Sequence, residues 1–160
     1  MDSNLVIRDC QTKDEKPYIA MNLEFMALVR REHHYWDNLK FPSEDEMREV
    51  FYQAISSPND IKVFIIEEDN SVIGYVNTWC VYSVWTMGKS LIIDDLYISK
   101  EFRNNGYGKR VMNYLIDYSL SNGFKRMQLN TEKDNITAQA LYKKLGFDGE
   151  DMIFFMKKIN

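Results

Sequence analysis

The chain has 160 residues, 45% of them apolar, enough to bury one core and too few to expect two domains. Its 20 basic and 24 acidic residues leave a net charge of −4, which excludes a general electrostatic attraction for nucleic acid or anionic lipid. Cys10 and Cys80 are too few for a disulfide framework and lack metal-ligand spacing, and no apolar run approaches the ~20 residues of a membrane span, so a single soluble cytoplasmic domain is expected.

Leu5 to Arg8 predicts a short strand. Thr12 and Glu15 in "TKDE" have capping-box spacing, and the helix they open repeats Ile19, Leu23, Met26 and Val29 on one face before running toward "RREHHYWDN". After Pro42, "SEDE" (Ser43 to Glu46) repeats the capping-box pattern for a helix with Met47, Val50, Phe51, Ala54 and Ile55 inward. From Ile61 the residues turn β-branched and aromatic: "IKVFIIEE", "VIGYVNTWCVYSVW" and "LIIDDLYIS" predict three or four successive strands in an antiparallel meander. There follow a glycine loop, a helix from about Gly108 to Leu120, a turn at Asn122-Gly123, and a strand "RMQLNTE". A helix to Leu145 stopped by Gly146 and a last strand "MIFFMKKI" complete the chain. The β-α-β order of this half implies a parallel pairing across the first of these helices. The fold class is a single mixed α/β domain.

The stretch "KEFRNNGYGKRVMNYL" places two glycines and two asparagines before an apolar helical pattern. A loop of this kind at a helix N-terminus attracts phosphate through its N–H groups and the helix dipole. The Walker pattern fails, because Arg103 stands where its first glycine belongs and Arg110 follows Lys109. The dinucleotide fingerprint fails at Val111, its third glycine position. What remains is Arg-x-x-Gly-x-Gly, with Arg103, Gly106 and Gly108 in place. Glycines there let backbone N–H groups from Asn104 to Lys109 converge on a pyrophosphate, with Arg103 and Lys109 adding charge; a plain tight turn capping a helix is the alternative.

This loop resembles motif A of the GNAT superfamily of acetyl-CoA-dependent N-acetyltransferases. The resemblance continues through "LIIDDLYISKEFRNNGYGKRVMNYL", similar to the family's fourth strand, loop and third helix, and "LNTEKDNITAQALYKKLGF", similar to its fifth strand and motif B. It covers roughly residues 63–159; the first sixty match in arrangement only. It implies a central twisted mixed sheet flanked by helices, acetyl-CoA as cosubstrate, no metal, and direct acetyl transfer to a primary amine. Donor-binding positions carried over are Leu96, Tyr97, Ile98, Arg103, Asn104, Asn105, Gly106, Tyr107, Gly108, Lys109, Asn135, Ala138 and Lys144. Tyr142 shares a helix face with Ala138, Leu141 and Leu145 and by itself reads as a core aromatic with its hydroxyl satisfied; the resemblance places it on the family's general-acid tyrosine, a role its phenol suits, and Asn135 serves equally as a helix cap or as a contact to the pantetheine arm.

Asp94 and Asp95 interrupt an apolar strand, and adjacent strand residues point to opposite faces, so one faces the covered side of the sheet. The resemblance places a bulge in this strand near Leu96 and matches the pair to the acidic pair of small-amine acetyltransferases. Either carboxylate is a candidate base for the protonated amine, against the alternative of a solvated strand end or a salt bridge with Arg8 or Arg103. Acceptor-binding candidates are Glu32, Tyr35, Trp36 and Tyr82, whose aromatic and acidic character suits an organic cation. His33 and His34 diverge on a helix, and no third ligand follows at metal spacing. A small cationic amine is the preferred acceptor, whether polyamine-, aminoglycoside- or amino-acid-like. A protein N-terminus or lysine, and a non-catalytic acyl-CoA-binding or regulatory domain, are the alternatives. Members of the superfamily often form dimers, so the expected partners are a small-molecule amine and a second copy of the chain, with neither nucleic acid nor membrane.

Overall fold

The computed structural model describes residues 4–37 and 39–159, with the side chain of Tyr35 outside the description. Five strands, β1 (Leu5–Asp9), β2 (Ile61–Glu68), β3 (Ser71–Ser83), β4 (Gly88–Ile98) and β5 (Arg126–Leu129), lie side by side in that order. β1 to β4 form the expected antiparallel meander, and β5 joins β4 in parallel after a helical crossover. Helices α1 (Glu15–Glu32) and α2 (Glu44–Ile55) cover one face; α3 (Tyr107–Ser121) and α4 (Ile136–Lys144) belong to the other.

Strand β2 shows why the sheet is a middle layer. Val63 and Ile65 pack with Tyr18, Met47 and Phe51 on the α1–α2 side, whereas Phe64 and Ile66 pack with Val111, Met112 and Leu115 on the α3 side. Successive apolar residues are needed where both faces are covered. Helix α2 starts with the predicted capping box: the Glu46 N–H donates to Ser43 Oγ (3.3 Å) and the Ser43 N–H to Glu46 Oε2 (2.8 Å). Helix α4 ends as its glycine predicts. Gly146 takes φ 85°, its N–H donates to Lys143 O (3.1 Å), and the Phe147 N–H donates to Tyr142 O (3.0 Å).

Four expectations need correction. The Thr12–Glu15 box does not form; the carboxylate of Asp14 instead accepts the Gln11 N–H (2.8 Å) and two Arg8 N–H groups (2.7 and 2.8 Å), because Asp14 is buried and a buried charge requires a partner. On α1 the buried face is Tyr18, Ile19, Met21 and Asn22, and Met26 is exposed where the helix leaves the core. Val50 of α2 is likewise exposed, since Met47, Phe51 and Ala54 fill the inward stripe. The last predicted strand is absent: residues 147–159 make no ladder, and Met152, Ile153, Phe154 and Phe155 stay exposed. That segment has strand composition but no adjoining strand to supply its hydrogen bonds. Cys10 and Cys80 are both free thiols. Among the described residues no helix is long and apolar enough to cross a membrane, and no group of three or more His, Cys, Asp or Glu could hold a metal ion.

Candidate active site

The register of β4 makes the site. β3 and β4 pair from Ser83–Gly88 to Thr78–Ile93 and resume at Asn77–Asp95, which leaves Asp94 as the extra residue of a bulge. The parallel ladder to β5 ends at the Ile93–Leu129 pair. From Asp94 to Ile98, β4 therefore keeps β3 on one side and has lost β5 on the other, opening a cleft along that edge. The bulge expected near Leu96 lies at Asp94. Leu96, Tyr97 and Ile98 continue the cleft edge, pairing with Val76, Tyr75 and Gly74, with the Tyr97 and Ile98 side chains buried.

Asp95 faces the covered α1 side. Its Oδ2 accepts the Asn77 side-chain N–H at 3.0 Å, and burial raises its carboxyl while that hydrogen bond works the other way. Asp94 is more open as a residue. Its carboxyl is nonetheless crowded by protein atoms, and that loss of water, followed by the charge of Asp95, pushes it up to about 6. Among the described residues neither carboxylate has an ion-pair partner. Arg8 is spent on Asp14 and Glu67. Arg103 folds back, its Nε–H donating to Ile98 O at 2.8 Å with the guanidinium 5.4 Å from the centre of the Tyr97 ring. The acid pair is thus not a structural salt bridge, and two raised carboxylates without a partner are the kind of group that suits a cation.

Beyond β4 the chain makes a short 3-10 turn, Lys100–Phe102, and reaches α3 through two left-handed residues, Asn104 (φ 65°) and Gly106 (φ 76°). The first α3 hydrogen bond runs from the Arg110 N–H to Gly106 O (3.3 Å), so the Gly108 and Lys109 N–H groups in the preceding turn have no acceptor among the described residues. A Cβ on Gly106 would meet nothing within 4 Å, and one on Gly108 only Leu141 at 3.7 Å. The space over this turn is open. Free N–H groups at the positive end of a fifteen-residue helix, flanked by exposed Lys109 and Arg110, fit a pyrophosphate. Asn105 is drawn into the loop by its bond to Phe102 O (3.2 Å). The Tyr107 ring is buried in the core with its hydroxyl bonded to Glu68, so what this residue offers the loop is its backbone.

Leu141 beneath Gly108 sets α4 beside this turn. Tyr142 packs against the α3-side core with its ring 6.0 Å from Phe147, and burial, then the charge of Glu132, raises its phenol. It keeps its proton at neutral pH. Asn135 caps α4, its Oδ1 accepting the Ala138 N–H at 3.2 Å, while Lys144 is exposed in the last turn. On the acceptor side, Glu32 is exposed at the end of α1, and Tyr35 and Trp36 lie in a short 3-10 turn, His34–Trp36. The Tyr35 side chain is outside the described residues. The Trp36 ring is 6.5 Å from Phe154, and His33 Nε2 is 3.9 Å from Glu132 Oε1, so the end of α1 reaches the segment after β5. Tyr82 is not brought to the site. It pairs with Lys89 near the hairpin tip, 72% exposed, and Asp94 lies five positions along the strand from Lys89, ~17 Å. Sequence reasoning missed Tyr18, Asn22, Gly74 and Asn77; the available signal was a lone asparagine in the apolar run "VIGYVNTWC".

Residues 28–147 match the profile of the Acetyltransferase (GNAT) family. The uncharacterized N-acetyltransferase YhfO of Bacillus subtilis (strain 168) is 30% identical over 100 residues, 62% of this chain and 67% of that protein. Thialysine N-epsilon-acetyltransferase of Sus scrofa is 29% identical over 79 residues, 49% of this chain and 46% of that enzyme, so the chain spans less than half of that relative's length. A possible acetyltransferase from Clostridium difficile 630 shares the fold with a TM-score of 0.78, at 20% identity over 98% of each chain. Aminoglycoside N-acetyltransferase AAC(6')-Iy in complex with CoA does so with a TM-score of 0.75, at 16% identity over 99% of this chain and 97% of that one. The profile match over most of its length, on a mixed sheet that parts beside a glycine turn, means that the chain belongs to the GNAT family of acetyl-CoA-dependent N-acetyltransferases.

Proposed function

We propose that this chain transfers the acetyl group of acetyl-CoA to the primary amine of a small cationic acceptor. The observation that carries the reading is the Asp94–Asp95 pair, raised and without a cationic partner where β4 and β5 part. An alkylamine arrives protonated, since its pKa is near ~10, and only its neutral form attacks a thioester. The carboxylates bind the ammonium and one of them takes its proton. Acetyl-CoA supplies the activated acetyl group; the Gly106–Lys109 turn, with Arg103, Asn104, Asn105 and Lys144 near it, is the candidate holder of its phosphates. Leu96 to Ile98 offer a backbone edge with no strand beside it on the β5 side, where Arg103 covers Ile98 O, and Asn135 and Ala138 begin the fourth helix. As the N–C bond forms and the C–S bond breaks, Tyr142 gives its proton to the leaving sulfur, and the second proton that nitrogen sheds on becoming an amide restores the phenol by way of water. One relative is named for thialysine and one structural neighbour for aminoglycosides, both amines of small molecules, which supports this acceptor class.

A thiol-release assay with acetyl-CoA tests the reading against diamines, polyamines, thialysine, lysine, an aminoglycoside and a lysine-containing peptide. Turnover is expected for one or more of the small cations at a kcat/KM at least tenfold above the peptide. Release with the peptide alone sinks the small-molecule reading. Acetyl-CoA binding without release for any amine leaves a non-catalytic acyl-CoA-binding domain.

A further inference from the structure

The cleft has a polar floor that the transfer reaction does not by itself require. Asn77 on β3 stands opposite Asp95 at the register shift, and its carboxamide is held from both ends. Oδ1 accepts the Tyr18 hydroxyl at 2.8 Å, and Nδ2 donates to Asp95 Oδ2 at 3.0 Å. Asn22 Oδ1 lies 3.4 Å from the same Nδ2, and Asn22 is itself fixed by donating to Tyr18 O at 2.8 Å. Tyr18 and Asn22 are one helical turn apart on the buried face of α1, so the helix braces the amide as a unit. A carboxamide so held presents a donor, never an acceptor, to Asp95. Asp94 has no counterpart: it is the unpaired bulge residue, more open to the cleft, with no hydrogen bond among the described residues.

Resting on the proposed amine transfer, we infer that Asn77, braced by Tyr18 and Asn22, is a positioning residue that divides the acid pair. Asp95 is kept as the fixed anion that anchors the ammonium, and Asp94 is the group that takes the proton and passes it to solvent. The charge balance follows: an ammonium over two carboxylates loses one proton to Asp94, and the neutral amine stays beside Asp95. A further sign that the floor is tuned is Tyr75. Its hydroxyl is fully buried without a hydrogen-bond partner, its ring 5.7 Å from Tyr97 and 5.3 Å from Tyr18, and its phenol feels the charge of Asp95 before that of any other group. The titratable groups that feel the pair are Tyr18 on α1 and Tyr75 on β3; behind them stand Cys10, beyond β1, against Tyr18, and Tyr97 on β4 against Tyr75, with Glu24 and Arg103 reaching Tyr97. No cation stands between the two carboxylates to assign their roles. The hydrogen bond from Asn77 does so, because a donor to a carboxylate favours its ionised form.

The test is a 13C-carboxyl NMR titration of Asp94 and Asp95 in the full chain, with amine kinetics beside it. In the unaltered protein Asp95 is expected to titrate at lower pH than Asp94. Asn77→Ala should raise the Asp95 midpoint by roughly one pH unit, lift the acidic limb of kcat/KM for the amine, and raise KM for the amine several-fold with KM for acetyl-CoA unchanged. Tyr18→Phe, which keeps the ring packed, should move the Asp95 midpoint in the same direction by less and serves if Asn77→Ala does not fold. An Asp95 midpoint that stays above that of Asp94, or that neither variant moves, overturns the inference. If no amine is turned over while the titration order holds and shifts as stated, the division of the pair stands and the amine reading fails.

Discussion

Tyr142 combines an observed packing role with the proposed role of general acid, and substitution can separate the two. Its ring belongs to the α3-side core beside Phe147, and its hydroxyl is a phenol that burial and Glu132 hold protonated. Removing the hydroxyl alone preserves the packing. Tyr142→Phe is expected to lower kcat by about 100-fold, the lower end of what a positioned acid contributes, and to leave the dissociation constant for acetyl-CoA within about twofold. Equal loss of binding and turnover would assign the residue to packing. The proposed base sets the opposite limb. Asp94, held at about 6, accepts a proton only when ionised, so kcat/KM for the amine should fall as pH drops through that value and should not recover below it.

At the scale of elements, the site exists because two strands approach closely and two others part. A Cβ on Gly74 of β3 would stand 2.4 Å from Tyr97 O, a backbone atom on β4 that cannot rotate away. Gly106 is constrained otherwise: its space is open, and its φ of 76° is what only glycine adopts without cost. Gly74→Ala should therefore destabilise by about 1–3 kcal/mol as an overpacked core site does. Gly106→Ala should cost about 1–2 kcal/mol through backbone strain alone. Urea unfolding midpoints measure both, and acetyl-CoA affinity should fall for Gly106→Ala beyond what its stability loss explains. A Gly74→Ala variant as stable as the parent would refute the close approach. These contrasts mark what the sequence could show. The Ser43–Glu46 box, the Gly146 stop, the meander and the parallel β4–β5 crossover rest on local patterns, and they formed. The Asn77–Asp95 bond joins residues 18 positions apart, and the bulge that pairs them depends on strand register, which composition does not encode. The tail "MIFFMKKI" failed for the same reason in reverse: strand propensity was present and a neighbour was not.

For the molecule as a whole, the acid pair weakens folding at neutral pH, as a proposed binding site for a cation would. Two sets of carboxylates pull the pH dependence of folding in opposite directions. Asp14 and Glu67, drawn down mainly by Arg8 despite their burial, contribute stability that is present above the ordinary carboxylate range and is lost as pH falls through their folded values. Asp94 does the reverse. With its folded value at about 6 against 3.8 in the unfolded chain, the folded state binds more protons between those two values. Its contribution therefore weakens folding progressively as pH rises from about 4 to about 6, and the full penalty is carried at pH 7. Neutralising the carboxyl should remove the penalty and, with it, the proposed proton acceptor. Asp94→Asn should abolish most amine turnover while raising Tm at pH 7 by about 2 °C or more, and the gain should vanish by about pH 4, where the parent carboxyl is protonated as well. Thermal melts of the two proteins across that range decide the matter. A gain independent of pH would locate the effect in packing, and a loss of Tm at neutral pH would mean that Asp94 holds the fold rather than straining it.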